Sequence, residues 1–367
     1  MSERARKRDA VKVIADMCGV QAQLLAAAEL ALWARIQGVK QGDMQELLFK
    51  EKSAFRTWSM RGTLHLLPSF EFRTYIGALK TREGYRNGAW LRYFGVTLEE
   101  IDSITKAIGE ALGTIPLTRK ELAERIFKGE RLRPGETPVG NRRMTVGTHR
   151  ILSSWGEFLK PAAYNGLLAC GPNRDGEATF VRADRFLGTK IGPDSAESMK
   201  EMVRKYLSCY GPATHDDFAR WWGTQPAPAK RLFKSMEDEL VPVDVEGYNG
   251  WITKADCDAL WSVTQDSQVR LLPNFDSYVI GFRPRDLLVR GDAASLVFRP
   301  QGWISPVLLV DGRIVGTWER SARNGNNGLK IRLFERLTSS HKEALRDEIR
   351  AMSDYFGSDV AAAFERG

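Results

Sequence analysis

Two glutamines separated by one small residue, Gln21-Ala22-Gln23, follow Gly19-Val20 and precede the apolar run from Leu24 to Gln37. Each side-chain amide offers a carbonyl oxygen that accepts and an NH2 that donates, so a pair can hold a water or a sugar-phosphate between them. A neutral amide is no general base near pH 7; such a pair orients a water and does not take its proton. On a regular helix residues two apart point to nearly opposite sides, so the pair cannot act together mid-helix. Gly19 tolerates unusual backbone angles and can end the preceding helix. Both amides then sit around the mouth of the next one, where backbone N–H groups are unpaired and the dipole is positive. Taken alone, the pair is better read as two solvated amides at a helix start.

Other constellations are weaker. Arg61 and His65 flank the turn of a first predicted hairpin, Phe55–Trp58 with Thr63–Leu67, and such residues also simply pair with carboxylates. Arg142, Arg143, His149 and Arg150 share a helix predicted from about Arg142 to Phe158. That helix reads equally as one that enters a DNA groove and as a solvated basic face. Thr214-His215-Asp216-Asp217 has the residue types of a triad or metal site, but Thr214 and Asp217 are spaced as a helix cap. No phosphate-cradling glycine loop stands between strand and helix. The four cysteines, Cys18, Cys170, Cys209 and Cys257, lack CxxC spacing, and the four histidines are dispersed. Neither disulfides nor a metal site is predicted, no cofactor is called for, and a reducing cytoplasm fits.

The elements that position these residues repeat in order. A helix over residues 9 to 18, the run from Leu24, a short helix capped by Asp43 and the first hairpin give helices followed by a wing. Capping boxes at Thr97-x-x-Glu100 and Thr118-x-x-Glu121 start the next two helices. Strands Gly166–Cys170 and Ala178–Arg182 then flank the turn Asn173-Arg174-Asp175-Gly176. A third copy runs from Met199 through the Thr214 cap to the hairpin Val241–Val245 with Trp251–Thr253. From about 265 the pattern becomes strands: Val269–Leu272, Leu296–Arg299, Val307–Val310, Ile314–Trp318 and Leu329–Leu333. A final helix starts at Ser340-x-x-Glu343 and runs to Phe356. The class is α+β: three tandem winged-helix (helix-turn-helix) units over 1–95, 96–192 and 193–264, then a β-rich domain over 265–367 closed by a helix. A net charge of +8 suits a phosphate-rich partner. No apolar run reaches the length of a membrane span, and no apolar segment follows the basic Arg4, Arg6, Lys7 and Arg8, so neither membrane nor secretion is expected.

Four segments together are specific in order and spacing: GVQAQ (Gly19 to Gln23), RTWSMRGTLH (Arg56 to His65), YGPATHDDFARWWG (Tyr210 to Gly223) and LLPNFDSYVIGFRPR (Leu271 to Arg285). The chain in this respect resembles the winged-helix DNA glycosylases of the AlkZ/YcaQ group, which unhook alkylated and crosslinked purines. The resemblance covers nearly the whole chain. It implies that the three winged-helix units form a DNA channel, and that Gln21 and Gln23 correspond to the catalytic Gln-x-Gln pair of the group. One branch carries Asp at the second position; this chain does not, which places it in the Gln-x-Gln branch. It also implies a monofunctional hydrolase acting on double-stranded DNA with an alkylated purine, working as a monomer in the cytoplasm at the nucleoid. Backbone contacts are then expected from Arg61, His65, Arg142, Arg143, His149 and Arg150. The rival reading is a winged-helix regulator or DNA-binding protein without chemistry.

Overall fold

The structure is a computed structural model that describes residues 3–126, 137–139, 142–144, 156–192, 196–262, 267–323 and 326–366, with backbone alone at 137–139, 142–144, 261, 321–323, 326–327 and 366. Two compact units divide it: Met1–Met44 with Val203–Gly367, and Gln45–Met202. Mixed helices and sheets make the chain α+β.

The first unit starts with helix Ala10–Asp16, the two-residue strand Val20–Gln21 and helix Leu25–Trp33. Helix His215–Trp222 opens with the predicted capping box, Thr214 and Asp217 each bonding the other's backbone N–H. Its aromatic face packs Phe218 and Trp221 on Tyr206 and Phe218 on Phe233, with Trp222 stacked on Phe218. Helix Pro226–Lys234 and the antiparallel hairpin Leu240–Val245 with Tyr248–Thr253 follow. Beyond them lies a five-stranded sheet in the order Val269–Leu272, Val307–Val310, Arg313–Arg323, Asn326–Leu333, Val360–Arg366. The first three pairings are antiparallel and the last is parallel. A parallel neighbour needs a crossover, and helix Ser339–Phe356 supplies it.

Three expectations for this unit change. Leu296–Arg299 is no strand: helix Ala294–Val297 takes its first half and Phe298 forms only an isolated bridge to Ile304, because a short apolar run does not by itself distinguish strand from buried helix. The last helix is capped by Thr338, whose hydroxyl accepts from His341 N at 3.1 Å, two residues before the predicted cap. The edge strand Val360–Arg366 was not expected, because its three consecutive alanines carry no strand propensity. It exists through its pairing with Asn326–Leu333.

In the second unit, strands Ala54–Trp58 and Leu64–Pro68 pair antiparallel, with Thr57 opposite His65. Thr57 donates to the Leu168 carbonyl at 2.8 Å and Trp58 stacks on Phe180, so the hairpin lies on the strands behind it. Both predicted capping boxes form: Thr97 with Glu100 at helix Leu98–Ala111, and Thr118 with Glu121 at helix Arg119–Ile126. Strands Ala169–Cys170 and Thr179–Val181 are joined by the expected turn, with Asp175 and Gly176 at φ of 53° and 80°. Two successive left-handed residues are what a type I′ turn requires. Asp311-Gly312 in the first unit repeats the device at 49° and 81°.

One correction bears on the site. Arg142 and Arg143 do not start a helix. Strand Arg142–Met144 pairs with strand Thr137–Val139, putting Val139 opposite Arg142 and Pro138 opposite Arg143. Two short runs separated by the two residues Gly140-Asn141 are a hairpin signal that the helical reading passed over.

Candidate functional site

Helix Ala10–Asp16 ends in a tight reversal that aims the chain into Gln21. Gly19 N–H bonds the Ile14 carbonyl at 3.0 Å and Cys18 N–H bonds the Ala15 carbonyl at 2.9 Å. This pair of bonds is a Schellman motif, whose left-handed position falls on Cys18. Cys18 has φ of 54° and Gly19 follows at 85°. The glycine therefore does not end the helix alone; a cysteine takes the left-handed position beside it, at a conformational cost of order 1 kcal/mol or more.

Past the reversal the backbone is extended at Val20–Gln21. The strand ends at Gln21, and Gln23 directly precedes the helix N-cap Leu24, which is itself extended at φ of −102° and ψ of 110°, so the second glutamine stands at the helix mouth. Ala22 is fully buried, Gln21 is 8% exposed and Gln23 is exposed. One amide is thus set in the protein and the other reaches solvent.

Two side chains far along the sequence bond this turn. Tyr210 Oη donates to the Met17 carbonyl at 2.8 Å, satisfying an oxygen that the helix end leaves unpaired. Burial holds the Tyr210 phenol well above its ordinary pKa, so it remains a donor. Gly281 makes room for that ring; a Cβ there would lie 2.4 Å from it. Ser277 Oγ donates to the Gly19 carbonyl at 3.2 Å. Its neighbour Asp276 receives both arms of the Arg35 guanidinium, at 2.8 and 2.7 Å, and accepts from Tyr278 N at 2.9 Å. Arg35, just past helix Leu25–Trp33, also donates to the Ala31 carbonyl at 2.9 Å. Burial disfavours its charge, but Asp276 more than compensates and its pKa is raised. The segment Asp276-Ser277 is therefore clamped to both sides of the glutamine turn. Tyr210, Asp276, Ser277 and Gly281 lie within motifs that carry the resemblance, but the sequence alone assigns them no role; Arg35 lies outside those motifs.

The remaining predicted residues lie in the second unit. Arg61 occupies the first hairpin's turn at φ of 56° and is half-buried. Its Nη2 lies 3.2 Å from His65 Nε2, while His65 Nδ1 lies 3.0 Å from the Thr63 carbonyl. A guanidinium only donates and a carbonyl only accepts, so one state satisfies both contacts: a neutral ring with its proton on Nδ1. Burial, followed by the Arg61 charge, pushes the His65 pKa down to about 3. The ring is 1% exposed, so it reaches a ligand only through Arg61. Arg142 and Arg143 sit on their hairpin strand, and His149 and Arg150 lie outside the described residues.

A profile of the family described as DNA glycosylase AlkZ-like matches residues 14–355. An interstrand DNA cross-link repair glycosylase of Streptomyces sahachiroi is 34% identical over 313 residues, covering 84% of this chain and 81% of that one. The solved structure of the Streptomyces sahachiroi DNA glycosylase AlkZ superposes with a TM-score of 0.86 at 30% identity, covering 99% of this chain and 95% of that one. With the family profile running from helix Ala10–Asp16 to the last helix, this chain belongs to the AlkZ-like DNA glycosylase family, enzymes that hydrolyse the N-glycosyl bond between base and sugar.

Proposed function

We propose that this enzyme releases N7-alkylated purines from double-stranded DNA, crosslinked purines included, using a water positioned jointly by Gln21 and Gln23. The observation that carries the reading is the clamped extended turn, which fixes one amide in the protein and presents the other to solvent. A purine alkylated at N7 is cationic, and its bond to C1′ is weakened before any catalyst acts. The C1′–N9 bond breaks with its electron pair moving to the purine, which leaves neutral. The water oxygen bonds C1′ through an oxocarbenium-like state, and its surplus proton passes to solvent. An abasic site remains.

Two amides suit such a reaction because no strong base is needed, only a water held in line and oxygen dipoles facing developing positive charge. A crosslinked base is tied to the opposite strand and cannot be flipped fully out of the helix. The Streptomyces sahachiroi relative, named as an interstrand cross-link repair glycosylase, supports extending the substrate range to crosslinks. Arg61, held by His65, and the hairpin arginines Arg142 and Arg143 serve the DNA backbone in this reading. Incubation with duplex DNA bearing one N7-methylguanine, and separately with an N7-linked interstrand crosslink, followed by assay of free base and strand separation, tests it. Absence of release from both substrates refutes it.

A further inference from the structure

The first unit contains a cavity of about 680 Å3 that the reaction above does not use. Its size falls in the range of small-molecule sites, about 300–1,000 Å3. Leu24, Ala27 and Leu30 form one wall; Pro273 and Asn274, the loop around Trp303 and the sheet residues Arg320, Lys330 and Arg332 form the others. Leu24, which lines the cavity, directly follows Gln23 in the chain.

The loop from Arg299 to Trp303 is tightly built. Arg299 N–H donates to the Trp303 carbonyl at 2.8 Å across a turn in which Gln301 and Gly302 have φ of 60° and 76°. The turn sets the backbones of Arg299 and Trp303 opposite each other across one closed loop, and both residues line the cavity. The indole packs edge-to-face on Phe275 at 5.0 Å yet remains 41% exposed, so it is a fixed aromatic surface facing open space. Charge is surplus positive: Arg299, Arg320, Lys330 and Arg332 against Glu319 and Glu365. Glu365 serves Lys330 and Arg332, and the Arg320 guanidinium lies over Phe356. Arg299, exposed, has no ion-pair partner among the described residues.

A rigid aromatic face beside an uncommitted cation is the recognition chemistry of a nucleotide: stacking for the base and charge for the phosphate. We propose that this cavity holds one unpaired nucleotide of the bound DNA, its base on Trp303 and its phosphate on Arg299. The inference rests on the reading that DNA is the substrate. It gives the enzyme a place for a displaced nucleotide next to the reacting one.

The test is an equilibrium titration with a duplex carrying one bulged 2-aminopurine nucleotide and with the same duplex fully paired, read by 2-aminopurine fluorescence and by anisotropy. The bulged duplex should bind more tightly, with its fluorescence quenched on stacking. Trp303→Ala should abolish the quench and cost about 5- to 100-fold in affinity for the bulged duplex alone. Arg299→Gln should weaken binding of the bulged duplex and leave the quench at saturation. Deoxyadenosine monophosphate should compete, and inorganic phosphate at the same concentration should not. Both positions are exposed, and matching circular dichroism and melting temperatures establish that the variants fold. An undiminished quench in Trp303→Ala, equal affinity of wild type for the two duplexes, or competition by phosphate as strong as by the nucleotide overturns the proposal. None of these readouts requires base release: an inactive enzyme that prefers the bulge sinks the catalytic reading alone, and an active one without the preference sinks this inference alone.

Discussion

The Ser277 hydroxyl donates to the carbonyl of Gly19, 258 residues earlier in the chain, at 3.2 Å. The bond holds the peptide two residues ahead of Gln21, so its loss should loosen the amide and not the DNA contacts. Ser277→Ala is expected to slow single-turnover release of N7-methylguanine about 3- to 10-fold, the kinetic equivalent of one neutral hydrogen bond. DNA affinity should be unchanged, and Ser277→Thr should recover most of the rate. Equal rates for Ser277→Ala and wild type would detach this clamp from catalysis.

Replacing Gln21 and Gln23 together with alanine should abolish base release while leaving DNA affinity near wild type, because positioning of the water acts in the transition state. Loss of one such group costs about 10- to 1000-fold in rate, by analogy with removal of a transition-state hydrogen-bond donor. Gln23→Asp should retain activity, since a carboxylate also orients water. Single-turnover assays with enzyme in excess separate chemistry from product release; a double-alanine variant as fast as wild type would falsify the assignment.

Arg35 and Asp276 form a pair whose side chains are 10% and 0% exposed. Arg35→Ala strands a buried carboxylate and should destabilise the protein by about 3–5 kcal/mol. Arg35→Met combined with Asp276→Asn should recover part of the loss, because neither buried charge then remains. Denaturant melts of the single and double variants decide; a mild effect of Arg35→Ala would mean that water reaches Asp276 once the guanidinium is gone.

His65 gives a pH signature. Its folded pKa is about 3, against an ordinary value near 6.5. Below about pH 6.5 the unfolded chain binds a proton that the folded one refuses until about pH 3, so stability falls as pH drops through that window. The steepest slope is about 1.4 kcal/mol per pH unit. Between pH 7 and 5 the wild type should therefore lose about 2 kcal/mol more than His65→Gln. Parallel curves for the two proteins in urea melts would show that His65 protonates in the folded state.

Removing Arg142 and Arg143 together should weaken duplex binding. The dependence of log affinity on log salt should become shallower by about 0.9 for each phosphate that is no longer neutralised. Wild-type binding should weaken by orders of magnitude between about 50 and 200 mM salt if the protein neutralises six or more phosphates. A melting temperature that collapses in the double variant would make these arginines structural.

Local features of this chain were decided locally. The capping boxes at Thr97, Thr118 and Thr214 form because hydroxyl and carboxylate stand three residues apart, within one helical turn. The Asp175-Gly176 and Asp311-Gly312 turns form because those residues accept left-handed angles. The spacing of Gln21 and Gln23, with the motifs that accompany it, was enough to indicate the family. Their surroundings were not in the sequence: Gln21 ends a two-residue strand and is 8% exposed, whereas Gln23, next to the helix N-cap, is exposed, and only packing decides that difference. The clamp from Tyr210 and Ser277 joins residues separated by 193 and 258 positions, and no periodicity or propensity encodes such a distance. Strand Val360–Arg366 likewise exists because a neighbouring edge offers it unpaired N–H and C=O groups. What tertiary structure alone decided was where each buried polar group finds its partner, because that requirement is met by whichever element packs alongside, however remote in the chain.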